Sequence, residues 1–143
     1  MSDQNKAVVR RIVEEHWNNK NAALVPELFA ANLSLETPDG VLTGLAGADQ
    51  LLQAYATAFP DFRLIIDDLL ADGDQVVLRW TFTGTQRGPL ADVAASGRAV
   101  NVPRCIAVFH LDGGKVDQGY MTWDKYALLQ QLGALPAPTP VPA

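Results

Sequence analysis

Val8, Val9, Ile12, Val13, His16 and Trp17 recur at the spacing of one helix face, with Arg10, Arg11, Glu14, Glu15 and Asn18 on the other. This pattern predicts an amphipathic helix at the start of the chain, with Ser2 or Asp3 as its cap. Leu24 to Ala30 predicts a second short helix, and "LSLET" from Leu33 alternates as a strand does. A third helix is expected from Leu45 to Phe59, carrying Leu52, Tyr55 and Phe59 on one side and stopped by Pro60-Asp61. From there the period changes from helical to alternating. "FRLIIDDLLA" and "QVVLRWTFTG" flank the turn Asp72-Gly73-Asp74, and "RAVNVPRCIAVFHL" and "KVDQGYMTW" flank Asp112-Gly113-Gly114. Two hairpins follow, because these turn residues tolerate the positive backbone angles of a tight reversal. Between them Thr85 to Gly97 forms a long loop, of a length that often serves as a functional flap. The last helix is expected from Asp124 to Leu132, with Gly133 at its C-terminal end.

Helices first and hairpins afterwards give an α+β domain over residues 1–133, an antiparallel sheet with segregated helices on one face. Residues 134–143 read as a proline-rich, flexible tail. The 143 residues, 48% of them hydrophobic, suit one domain with a real core. Sixteen acidic against eleven basic residues leave a net charge of -5, the wrong sign for gripping phosphates, so no nucleic-acid partner is expected. The lone Cys105 cannot close an internal disulfide, and residues 1–20 read as a charged helix rather than a signal peptide. A soluble protein of the reducing cytoplasm, without membrane contact, is the expectation.

The order of elements, with "AFPDFRLIIDDLLADGDQVVLRWTFTGTQRG", "SGRAV" and "DGGKVDQGYMTWDKYALLQQLG", resembles the SnoaL-like polyketide cyclases of the nuclear-transport-factor-two-like superfamily. The likeness extends over nearly the whole chain to Gly133. It implies a cone of curved sheet closed by the N-terminal helices around a hydrophobic pocket, commonly dimerised through the sheet. Cyclases of this family move protons with an aspartate on the final strand and a histidine on the strand before it. The shared "GK" and "QLG" landmarks put Met121 and Ala107 at those positions. The looser likeness to ketosteroid isomerases puts Thr37 of "LETP" where their base stands. None of the three can do that work.

The cone implies which side chains meet a substrate. If Met121 faces the pocket, alternation brings Gly119 and Trp123 with it and turns Tyr120 away. Cys105, Ala107 and Phe109 share a face of the neighbouring strand, opposite Arg104, Ile106, Val108 and His110. Leu78, Trp80 and Phe82 form a third apolar row, and Trp17 and Phe59 join them from the helices. Such a pocket suits a polyketide- or terpenoid-like substrate. Candidate proton carriers are His16 on the roofing helix, Glu36 and Tyr55, which can donate to a carbonyl. Arg104 is a candidate for a substrate carboxylate or carbonyl, against a solvated or interface role. Asp124 reads as a helix cap, Cys105 as lining without a base, and His110 as a surface residue. Two distant histidines make no metal site, and "GLAGAD" is no dinucleotide fingerprint, so neither metal nor cofactor is expected.

Three functions compete. The first is a cofactor-independent cyclase or isomerase that works by folding its substrate, with a [4+2] closure as a concrete case. The second is an acid/base isomerase or epoxide hydrolase using His16, Glu36 or Tyr55. The third is a non-catalytic binding protein for a hydrophobic metabolite.

Overall fold

The computed structural model describes residues 2–135, so most of the proline-rich tail lies outside the described residues. Helix α1 (Ser2–Arg11) runs on as a π-helical turn, Ile12–Asn18. The wider turn changes the facing of the side chains and buries Ile12, Val13, His16 and Trp17 together. Asn18 follows as a peg in the adjoining strand: its amide donates to the Leu64 carbonyl at 2.9 Å and its oxygen accepts from the Leu64 N–H at 2.7 Å. A short 3-10 turn, Ala22–Leu24, leads into α2 (Val25–Leu28), whose Pro26 sits in the first turn, where its missing N–H costs nothing.

The expected second helix thus stops two residues early. Phe29 already opens strand β1 (Phe29–Thr37), which turns back through β2 (Gly40–Thr43), a strand that the alternation did not announce. Helix α3 (Gly44–Ala58) follows, with Phe59 at its C-cap. Four strands complete the sheet: β3 (Arg63–Asp72), β4 (Gln75–Thr85), β5 (Ala99–Asp112) and β6 (Lys115–Thr122). Helix α4 (Lys125–Gln131) is capped by Asp124, whose side chain accepts from the Ala127 N–H at 2.8 Å.

The sheet is six-stranded in the order β2-β1-β6-β5-β4-β3. It is mixed rather than wholly antiparallel, because β1 runs parallel to β6. It is also curved and unclosed, with helices on its concave side. The register slips at Ile66/Asp68, Trp80/Phe82 and His110/Leu111, and such bulges bend strands. The slip in β5 falls at Pro103-Arg104, with Arg104 in the left-handed region at φ 63°. Proline cannot donate to a ladder, so a strand carries it where the ladder is broken. The extra residue flips the alternation, so that Val100 and Val102 face inward together with Cys105, Ala107, Phe109 and Leu111.

Gly119 shows how closely the concave layer is packed. A Cβ there would lie 2.7 Å from Leu35 Cδ2 and 2.9 Å from Phe109 Cδ1, so the Phe109 ring occupies the space glycine leaves. The segment between β4 and β5, expected as a flap, is sewn to the end of α3. Arg87 and Gly88 donate their N–H groups to the Ala58 carbonyl, and Leu90 is buried. Fully buried Gln86 accepts from Ser96 N–H at 2.9 Å and donates to the Val93 carbonyl at 3.3 Å. No helix among the described residues is long and apolar enough to cross a membrane.

Candidate active site

The concave face and its helical cover leave a chamber of about 60 Å³. Trp17 closes it from the π-helical turn, Leu51, Leu52 and Tyr55 from α3, and Leu128 from α4. The sheet contributes Leu64, Trp80, Phe82, Val102, Cys105 and Met121, with Phe62 and Trp123 from the flanking turns. The atoms these walls expose to the chamber are all apolar. Aromatic edges meet faces around it: Tyr55 stands at 76° to Phe82 and 88° to Trp123, with centroids 5.9 and 5.6 Å away, while Trp17 tilts against Trp80 at 6.2 Å. Each such pair contributes about 0.5–1.5 kcal/mol beyond its buried area. A drug-sized ligand needs roughly 300 Å³ or more, so an occupant has to move wall side chains. Only Tyr55 and Trp123 among the wall residues are more than slightly exposed, which places the mouth between them.

Trp17, Tyr55, Trp80, Phe82, Cys105, Met121 and Trp123 were expected at the substrate pocket, and all seven line the chamber. The other expected residues stand elsewhere. Phe59 is fully buried beneath the chamber, stacked on Tyr55 and edge-on to Phe82. Ala107 and Phe109 are fully buried in the core, paired across the strands with Met121 and Gly119 and outside the chamber wall. Arg104 is exposed at the bulge, because its left-handed backbone carries the side chain out of the inward row. Glu36 is exposed too; it borders an open hollow that Ile106, Val108 and Tyr120 share with the chamber residues Met121 and Trp123. Leu51, Leu52, Phe62, Leu64, Val102 and Leu128 are wall residues that sequence reasoning passed over, since an apolar side chain reads alike in a core and in a cavity wall.

His16 is fully buried but is not part of the wall. Its Nδ1 lies 3.2 Å from the Asn21 carbonyl, which can only accept, so Nδ1 carries the proton and Nε2 is left as an unpaired acceptor. The ring stands edge-on to Phe29 at 5.5 Å. Burial holds its pKa below the usual 6.5, against the weaker opposing pulls of the Asn21 hydrogen bond and the Asp49 charge. The unfolded chain therefore takes up this proton more readily. The contribution of neutral His16 to stability is complete above about pH 6.5 and is lost as pH falls below it, at up to about 1.4 kcal/mol per pH unit. Thermal melts from pH 7.5 to 5 are expected to show a steeper loss for the native chain than for His16→Phe. Equal slopes would contradict this.

Tyr55 is held differently. Its hydroxyl donates to Asp39 Oδ2 at 2.9 Å, and Asp39 Oδ1 accepts from Lys125 Nζ. Burial, then the Asp39 charge and hydrogen bond, push the phenol well above its ordinary range. The Trp123 indole beside it pulls weakly the other way without hydrogen-bond geometry, and its Nε1 stays unpaired. Cys105, donating to the Val102 carbonyl at 3.3 Å, has its thiol pushed up to about 11, chiefly by burial. A thiol so placed stays protonated at neutral pH and is a poor nucleophile.

Residues 7–132 match the SnoaL-like polyketide cyclase family. Among solved structures, TsrD from Streptomyces laurentii is 30% identical, with a TM-score of 0.79 over 90% of this chain and 97% of its own. A candidate SnoaL-like polyketide cyclase from Jannaschia sp. CCS1 is 25% identical, with a TM-score of 0.86 over 94% and 95%. AclR from Streptomyces galilaeus, a candidate hydroxylase, shares the fold at 24% identity and a TM-score of 0.84, over 97% of this chain and 87% of its own. No protein with a curated description matches the chain. With the match running from the first helix to the last, this chain belongs to the SnoaL-like polyketide cyclase family.

Proposed function

We propose that this protein is a cofactor-independent cyclase or isomerase that folds a hydrophobic, polyketide-like substrate into its reactive conformation with little transfer of protons. The observation that supports this reading is the wall, which exposes apolar atoms alone; the resemblance to the family, for its part, puts Met121 and Ala107 at the positions of the acid/base pair. Holding reacting carbons within bonding reach lowers a barrier by several kcal/mol, on the order of the entropy otherwise lost in bringing them together. A [4+2] closure of a polyene fits that chemistry, since its bonds form and break in one step without an external acid or base. Met121 and Trp123 are suited to yield to the incoming chain, the first because an unbranched thioether repacks at low cost.

The test is to delete the gene in its native host and compare metabolites by mass spectrometry and chromatography. Accumulation of an unclosed isomer with the mass of the lost product supports the reading, and an unchanged profile overturns it. In the same reading two copies pair through the outer face of the sheet, where Ile106 and Tyr120 are exposed. Sedimentation at micromolar concentration is expected to give a dimer, and a monomer would remove that part.

A further inference from the structure

The mouth of the chamber carries a chain of polar groups that the apolar interior does not use. Asp39 lies in the turn between β1 and β2, Tyr55 on α3 and Lys125 at the start of α4, so three separate elements meet there. The donors and acceptors can be assigned one by one. The single Tyr55 hydrogen is committed to Asp39, and Asp39 accepts from both Tyr55 and Lys125. An ammonium has three N–H groups, and among the described residues that of Lys125 bonds only Asp39. Beside them the Trp123 N–H is buried without a hydrogen-bond partner, an unfavourable arrangement until something accepts from it. The donors left unspent at the mouth are therefore those of Lys125 and the Trp123 N–H. Asp39 already neutralises Lys125, and the chain as a whole carries -5, so the collar favours an uncharged acceptor over an anion.

We propose that Lys125 and Trp123, with Lys125 positioned by Asp39 and Tyr55, bind a neutral carbonyl oxygen at one end of the substrate while its hydrocarbon portion fills the chamber. The ligand class is a long apolar chain ending in a ketone or ester, held in one orientation. This rests on the apolar chamber being the substrate site, as argued above.

The test measures binding by intrinsic tryptophan fluorescence with three probes: naphthalene for the chamber alone, methyl octyl ketone for chamber and collar, and decanoate for an anionic end. The ketone is expected to bind more tightly than decanoate. Lys125→Met should weaken the ketone by about tenfold while leaving naphthalene unchanged. Lys125→Arg should retain the ketone affinity, and Trp123→Phe, which removes the N–H but also alters a chamber wall, should weaken the ketone by more than it weakens naphthalene. If naphthalene binds but neither Lys125→Met nor Trp123→Phe affects the ketone, the collar is wrong and the chamber stands. Tighter binding of decanoate than of the ketone would overturn the neutral-carbonyl assignment. If none of the three binds, the chamber reading fails and the collar with it.

Discussion

Trp80→Leu is expected to lower kcat by about 100-fold while Glu36→Gln leaves it within about twofold of the native protein, with both variants folded. Trp80 is 3% exposed, stands at the middle of β4 and forms one wall of the chamber against Trp17. Leucine keeps the site apolar but withdraws a wall, so the substrate samples unproductive shapes. A misplacement of about 1 Å between reacting atoms is enough for a loss of that size. Glu36 is exposed on the outer side of the sheet and is not a wall of the chamber. Steady-state turnover, normalised to the folded fraction from circular dichroism, separates the two. Loss of turnover in Glu36→Gln with the fold intact would defeat the shaping mechanism.

Phe109→Ala is expected to act on stability instead, lowering the unfolding free energy by about 3–5 kcal/mol. The ring is fully buried and fills the space that Gly119 leaves beside Leu35, so its removal opens a cavity in the packed layer. It is not a chamber wall, so kcat per folded molecule should change little. Urea unfolding followed by fluorescence measures the first effect, and turnover at low temperature the second. A large fall in kcat with unchanged stability would return Phe109 to the substrate site.

The contrast between these two residues shows what was legible in the sequence. Both are inward-facing aromatics on neighbouring strands, and alternation assigns each its face correctly. Alternation carries no information about depth, which the bend of the sheet sets, so Trp80 meets the chamber while Phe109 meets Gly119. The helices and hairpins were readable because their periodicity and turns are local. The parallel pairing of β1 with β6 was not, since it joins residues far apart in the chain, as with Leu35 and Gly119. The same limit hid the collar. Asp39 reads as a turn residue and Lys125 as a first-turn helix residue, and only the closed fold brings them to Tyr55. Pro103 within β5 was a usable signal for the bulge that turns Arg104 outward, because proline marks a break in a ladder.

The central claim is that the carbon framework reacts without proton exchange. The most direct measurement converts the substrate accumulated by the deletion strain with purified protein in D2O and reads the product's mass. The account predicts a product isomeric with the substrate that carries no deuterium on carbon; a deuteron fixed at carbon in each turnover would contradict it and assign the reaction to acid/base chemistry.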